Sequence, residues 1–363
     1  MTVYILGAGC SAGAAPDGPG FPLARDFTRR LAEFGQSVQA DSPVLKNCVE
    51  STVKLLSEES VQTLDGLVAR LATEAHDFSN GLTTQQRQAK HRQIEHAKVA
   101  TAALFMDLER KAKTTGLHRY HNFLDELFGN STRWPLLSKD SKCSVLTFNY
   151  DRLFEMAFIS RFRPDTGQYP LYGKSLLNSG LDYVNGSSID VDPARFAFLK
   201  LHGSVGLRAR NEDGQTVPTH YTYYYGLPGD DGRPINDERF FAHAKNPNPY
   251  ERDPEPLIVF PHEKPFVAAG TQTLLAYRNY IEPIWREARR LVAQATEIYA
   301  IGYRFAPMDR QDVLGLLRAA TKGTRLVIQN RPGTAEEICE YLKSKWFGPE
   351  AIALEPEPFP QPF

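Results

Sequence analysis

Residues 2–15 read TVYILGAGCSAGAA, and this stretch decides the fold. It opens with a short apolar run, Thr2 to Leu6, which is typical of a strand buried on both faces. Glycines interrupt the chain directly afterwards. The next apolar residues, from Leu23 to Phe34, recur near the spacing of a helix. The order strand, glycine-rich turn, helix predicts the opening unit of an α/β fold.

The strand pattern recurs along the chain. Further short apolar runs predict strands at 144–148, 196–201, 257–260, 297–301 and 325–329. Helical spacing follows several of them, at 271–294, 311–320 and 335–346. Apolar strands that alternate with helices predict an α/β protein: a Rossmann-like, mostly parallel sheet with helices on both faces, plus a helical insertion.

Composition shifts predict the domain boundaries. Residues 1–42 and 140–345 are expected to form the Rossmann-like catalytic domain, with 43–139 as the helical insertion. Residues 205–256 are rich in Gly, Pro and Asn, so short strands or a lid are expected there. Residues 346–363 are interpreted as a Pro-rich C-terminal tail.

Charge and cysteine content exclude several classes of protein. The chain carries 42 Lys and Arg against 43 Asp and Glu, so direct nucleic-acid binding is not predicted. No apolar run approaches the ~18 residues that span a bilayer, and no membrane contact is predicted. The four cysteines show neither metal-ligand nor disulfide spacing, which favours reduced thiols and a cytoplasmic location.

Polar or glycine clusters follow directly after four predicted strands. They are Gly7-Ala8-Gly9, Asn149-Tyr150-Asp151, His202-Gly203 and Gly302. Ligands of open α/β sheets bind beyond the carboxyl ends of the strands, so the four clusters are expected to converge at one edge.

Each cluster leaves alternatives open. The glycine loop suits either a dinucleotide pyrophosphate or a plain tight turn, and Ala12 stands where the third glycine of the usual fingerprint belongs. Asn149 can orient a water molecule or cap a helix. His202 can be a general base or a core histidine. Cys10 is either a small space-filling residue or a reactive thiol at a helix start.

Five motifs together resemble those of the sirtuin superfamily. In order they are GAGCS at 7–11, TFNYD at 147–151, LKLHGS at 199–204, IGYRF at 301–305 and VIQN at 327–330. They look most like the sirtuin-like domains of bacterial antiphage defence systems. The segment PHEKPF at 261–266 is similar to a Pro-rich, Lys-containing segment of those domains.

The resemblance implies roles for individual residues. In sirtuins the glycine loop binds NAD, which implies this role for Gly7, Ala8, Gly9, Cys10 and Ser11. Asn149 is implied near the nicotinamide ribose and its water, Asp151 near the carboxamide, and His202 as the base. Gly302 is implied as a further NAD-binding residue, and Asn330 as a contact of the adenosine ribose.

Two departures from the family bear on the activity. Deacylating sirtuins carry two cysteine pairs that hold zinc, and this chain has none, so no zinc is expected. They also have Gln where this chain has Phe148. The resemblance therefore implies an NAD hydrolase that releases nicotinamide and ADP-ribose and defends against phage by depleting NAD. The alternatives are a regulatory subunit that binds NAD or ADP-ribose without turnover and, more weakly, a protein ADP-ribosyltransferase or deacylase.

The expected partners follow from the same interpretation. A lethal NADase must be held inactive in healthy cells. We therefore expect a homo-oligomer, assembled through the helical insertion or the tail. We also expect a regulatory protein from the same operon, such as an ATPase, an Argonaute-like protein or a signalling-nucleotide enzyme.

Overall fold

The computed structural model describes most of the chain. The described residues are 1–12, 21–38, 43–58, 63–112, 117–129, 143–161, 196–212, 215–219, 255–260, 281–305, 309–345 and 352–354. The strands are β1 (Thr2–Leu6), β2 (Cys143–Thr147), β3 (Ala197–Lys200), β4 (Gly203–Glu212), β5 (Gln215–Thr219), β6 (Glu255–Ile258), β7 (Glu297–Ile301), β8 (Arg325–Gln329) and β9 (Ile352–Leu354). The helices are α1 (Ala8–Ala12), α2 (Phe27–Ser37), α3 (Pro43–Leu56), α4 (Leu64–His76), α5 (Thr84–Ala112), α6 (His118–Phe128), α7 (Leu153–Arg161), α8 (Glu282–Ala293), α9 (Arg310–Leu317) and α10 (Thr334–Lys345).

The chain forms two compact units. The first contains Met1–Phe21, Ala112–Leu201 and Asn279–Phe363, and the second contains Pro22–Lys111 and His202–Arg278. These boundaries differ from the predicted 42/43 and 139/140. Helix α2 packs on α3 in the second unit, and α6 packs on α7 in the first. Periodicity shows that a helix has an apolar face but does not show which element covers it.

The first unit is a Rossmann-like α/β structure, as the sequence predicts. Its sheet has six strands in the order β3-β2-β1-β7-β8-β9, and every described pair is parallel. Leu6 at the end of β1 pairs with Thr147 on one side and Ile301 on the other. The carboxyl ends of the three central strands therefore lie level, and the residues that follow them meet at one edge.

Strand β9 lies inside the segment predicted as a Pro-rich tail. It pairs with β8, from Leu326 beside Ile352 to Ile328 beside Leu354. Three residues between proline-containing segments are too short to produce a strand signal. The rest of the predicted tail, 346–351 and 355–363, lies outside the described residues.

The second unit combines helices α2 to α5 with an antiparallel sheet in the order β5-β4-β6. Strand β5 and most of β4 lie within the stretch 205–256, which the sequence predicts as a loop-rich insertion with short strands or a lid. Its residues 213–214 and 220–254, and the PHEKPF segment at 261–266, lie outside the described part. Helix α5 spans 29 residues. Neither it nor any other described helix has an apolar stretch long enough to cross a membrane.

Candidate functional site

The glycine loop after β1 packs closely against the end of β7. The Gly7 N–H donates to the Ile301 carbonyl at 3.0 Å, and the Gly9 N–H to the Gly302 carbonyl at 2.9 Å. A Cβ atom on Gly7 would fall 2.4 Å from the Tyr303 Cα, and one on Gly9 would fall 2.8 Å from the Gly302 oxygen. Glycine is thus required at both positions for the approach of two backbone segments.

Gly302 supplies the other half of this contact. Its φ is +59°, in the left-handed region that favours glycine. A Cβ atom there would lie 2.7 Å from the Cys10 nitrogen and 2.9 Å from the Gly9 carbonyl carbon. The structure therefore gives these glycines a packing role, whether or not a phosphate also approaches them.

Asn149 is fixed by the glycine loop. It is buried, and its Nδ2 donates to the Gly7 carbonyl at 3.0 Å and to the Ser11 Oγ at 3.2 Å. Its backbone N–H donates to the Thr147 Oγ1 at 3.1 Å. A backbone carbonyl can only accept, so the amide atom that faces Gly7 must be the nitrogen. Both amide hydrogens are used, and the position of Oδ1 is thereby determined.

The Oδ1 atom of Asn149 is buried and has no hydrogen-bond partner within the described part of the chain. A buried carbonyl left without a donor costs about 1–3 kcal/mol, and such groups are uncommon in folded proteins. The site thus retains an oriented acceptor at the carboxyl edge of the sheet.

Tyr120 extends this cluster and was not predicted from the sequence. It lies on α6, with its hydroxyl 2.8 Å from the Ser11 Oγ and its ring edge-on to Phe154. Burial raises the pKa of Tyr120 well above its usual value, so the phenol stays protonated. In the sequence it is part of the apolar face of an amphipathic helix, together with Phe123 and Leu124, and this pattern is typical of a core residue.

Asp151 begins the helix that follows the Asn-Tyr-Asp turn. It is buried, and its Oδ1 accepts the Leu153 N–H at 3.1 Å at the start of α7. Its backbone carbonyl accepts a hydrogen bond from the Lys200 Nζ, which also pairs with Glu155. The described contacts give Asp151 a capping role, and its implied role near a carboxamide stays a prediction.

Cys10 has the environment of an inert thiol. It is buried, and its Sγ donates to the Ile301 carbonyl at 3.2 Å. Burial raises its pKa to about 12. Since the thiolate is the nucleophilic form, the geometry favours the space-filling interpretation over a reactive thiol.

We therefore expect Cys10 to resist alkylation in the folded protein. Cys48 is also buried with a pKa raised to about 12, whereas Cys143 is partly exposed. Iodoacetamide at pH 8, followed by peptide mass spectrometry, should label Cys143 well before Cys10 and Cys48. All sites should react in denaturant. Labelling of native Cys10 as fast as Cys143 would contradict this environment.

Asn330 joins the ends of β8 and β7. Its Nδ2 donates to the Tyr303 carbonyl at 3.1 Å, and its Oδ1 accepts the Arg331 N–H at 2.9 Å. The Tyr303 ring stacks on Phe148 with centroids 4.4 Å apart. Phe148 is thus part of an aromatic stack at this edge.

His202 lies two residues beyond β3 in the chain and belongs to the second unit. It is buried, and its backbone carbonyl accepts the Val259 N–H at 3.0 Å. Its cooperation with Asn149 in one site stays a prediction.

The first unit thus brings together most of the residues predicted for the site. They are the loop residues 7–11, Asn149, Asp151, Gly302 and Asn330. Among the described residues, no group of three His, Cys, Asp or Glu side chains is arranged to hold a metal ion.

Fold and site together define a class: a Rossmann-like α/β protein with a buried polar cluster where such sheets bind their ligands. Comparison with known proteins does not narrow this further. No family model matches the chain, and no curated protein is significantly similar to it.

Proposed function

We propose that the protein hydrolyses NAD to nicotinamide and ADP-ribose in the cytoplasm and defends against phage by depleting NAD. One observation carries the proposal: Asn149 is locked by Gly7 and Ser11, with its acceptor Oδ1 unsatisfied at the carboxyl edge of the sheet. The five motifs similar to sirtuin-like defence domains indicate NAD as the substrate.

Hydrolysis of NAD requires few catalytic groups from the protein. The pyridinium ring leaves with the electrons of the C1′–N1 bond and becomes neutral nicotinamide, so no general acid is required. The ribose passes through an oxocarbenium-like state, and a water oxygen then bonds to C1′. His202 takes the proton of that water as the base. Because both amide hydrogens of Asn149 are engaged, this residue acts as an acceptor, either for the water or for a ribose hydroxyl.

The glycine loop has fewer free donors than the sequence suggests. The N–H groups of Gly7, Gly9 and Cys10 all donate to backbone carbonyls. Ala8, the first residue of α1, is the exposed residue of this loop. In this proposal the exposed side of the loop at Ala8 faces the pyrophosphate, with Gly302 and Asn330 on the adenosine side.

The decisive experiment compares Asn149→Ala and His202→Ala with Asn47→Ala, which changes an exposed asparagine on α3. Nicotinamide release by the full chain is measured by chromatography, and NAD content is measured in cells that express it. We expect the first two variants to lose at least about 100-fold in rate. Asn47→Ala should match the wild type. Undiminished release by both well-folded site variants would overturn the assignment.

The same assay separates the alternatives. Calorimetric binding of NAD without nicotinamide release would favour a regulatory subunit that binds NAD or ADP-ribose. Transfer of ADP-ribose to protein, or loss of an acyl group from an added acyl-peptide, would favour the transferase or deacylase.

Assembly into a homo-oligomer, under a regulatory partner from the same operon, is part of the proposal. Phe78, between α4 and α5 in the predicted helical insertion, is 83% exposed, and Arg87 lies over its ring at 4.4 Å. Light scattering at micromolar concentration should show an oligomer that Phe78→Ser weakens. A chain ending at Leu354 keeps β9 and tests the remaining tail. A monomeric wild type would contradict the oligomer, and an unchanged truncated chain would exclude the tail.

A further inference from the structure

Tyr120 belongs to a hydrogen-bonded chain that ends at the Asn149 carbonyl. Its hydroxyl lies 2.8 Å from the Ser11 Oγ, and that oxygen lies 3.2 Å from the Asn149 Nδ2. All three residues are buried, with exposed fractions of 4%, 2% and 7%. Each comes from a different part of the first unit: α6, α1 and the turn after β2.

The Ser11 hydroxyl is hydrogen-bonded to both Asn149 and Tyr120. The Asn149 amide donates to Ser11, so Ser11 uses one lone pair for it. The hydroxyls of Tyr120 and Ser11 form a second hydrogen bond, in which either oxygen can be the donor. Ser11 is thus held from two sides, by the Asn149 amide and by the Tyr120 hydroxyl.

The hydrogen bonds of the Asn149 amide nitrogen also determine the orientation of its unsatisfied Oδ1 atom. The Asn149 amide is planar, so the two bonds from Nδ2, to Gly7 and Ser11, also fix where Oδ1 points. Gly7 is held by the backbone, but the Ser11 hydroxyl can rotate about its side-chain torsion. The hydrogen bond with Tyr120 restricts that rotation.

We propose that Tyr120 is a positioning residue: through Ser11 it holds the Asn149 acceptor in the orientation that the hydrolysis of NAD requires. This inference rests on the proposed function. Tyr120 acts through Ser11 and Asn149, so its effect falls on turnover more than on substrate binding. Misplacement of a reacting group by about 1 Å can cost about 100-fold in rate.

Tyr120→Phe tests this proposal, because it removes one oxygen and keeps the ring against Phe154. We expect kcat for nicotinamide release to fall about 10- to 100-fold while KM changes less than about threefold. Tyr299→Phe, which changes a partly buried tyrosine of β7 that stacks on Tyr4, is the matched control and should keep the wild-type kcat.

The double variant provides a result that a merely structural role would not give. Because Tyr120 acts mainly through Ser11, with a smaller direct interaction with the Asn149 side chain, Tyr120→Phe should cost much less in a Ser11→Ala background than in the wild type. Multiplicative losses, or an unchanged kcat in Tyr120→Phe, overturn the positioning role while leaving NAD hydrolysis intact. A wild-type chain that binds NAD but releases no nicotinamide overturns the proposed function, and the role of Tyr120 with it.

Discussion

Gly302→Ala should lower the free energy of unfolding by about 2–5 kcal/mol, with a fall in Tm of roughly 5–15 °C. Two costs add at this position. The left-handed φ of +59° penalises any residue with a Cβ atom. That atom would also lie 2.7 Å from the Cys10 nitrogen, so the backbone of the glycine loop must move. Thermal and urea unfolding measure the loss.

Substitutions at two other glycines distinguish the cost of the positive φ from the cost of the close contact. At Gly323 φ is +95°, but no described heavy atom lies within 4 Å of a Cβ built there. Gly323→Ala should therefore show the backbone cost alone, about 1–2 kcal/mol. Gly315 lies in α9 and has equally open surroundings without a positive φ. Gly315→Ala should be neutral or stabilising by about 0.5–1 kcal/mol. If Gly302→Ala costs no more than Gly323→Ala, the close packing of the loop is refuted.

The sequence predicts the first five strands of the sheet order, β3 to β8, and misses β9 at one edge. Strands at 2–6, 297–301 and 325–329 are found at the predicted residues. Each has an apolar centre and is followed directly by glycine or asparagine, so the signal lies within the strand and its flanking residue. Strand β9 has only three residues, and its pairing with β8 decides that it forms. That pairing is a tertiary contact which local patterning does not contain.

The candidate site likewise contains contacts that the sequence predicts and one that it does not. The rule that ligands bind at the carboxyl edge predicts that Asn149 and the glycine loop meet, and the hydrogen bonds to Gly7 and Ser11 confirm it. Tyr120 follows no strand and belongs to no motif. Only the packing of α6 brings its hydroxyl to Ser11. A buried tyrosine on a helix face is usually core, so sequence patterning could not single it out.

The buried ion pair between Lys200 and Glu155 also lies outside what the sequence shows. Lys200 is the last residue of β3, within a stretch whose pattern is typical of an apolar strand. Glu155 lies in the first turn of α7. The Nζ and Oε1 atoms are 2.9 Å apart, and the two side chains are 3% and 1% exposed. The same Nζ donates to the Asp151 carbonyl, which ties β3 to the turn that carries Asn149.

Lys200→Met should therefore be among the most damaging substitutions, at about 3–5 kcal/mol, because it leaves a buried carboxylate without its lysine. Urea unfolding measures it. Lys46→Ala is the control: Lys46 pairs with Glu50 at 3.9 Å, and both side chains are about half exposed or more, so its loss should stay below about 1 kcal/mol.

The double variant Lys200→Met with Glu155→Leu decides the cause of that loss. It removes both charges and keeps the volume, so it should recover much of the stability that Lys200→Met loses. Nicotinamide release should recover less than stability does, because the bond from Lys200 to the Asp151 carbonyl is still missing and the turn before α7 is held less firmly. If the double variant is no more stable than Lys200→Met alone, the penalty comes from lost packing of the lysine stem and not from the loss of the lysine charge beside Glu155.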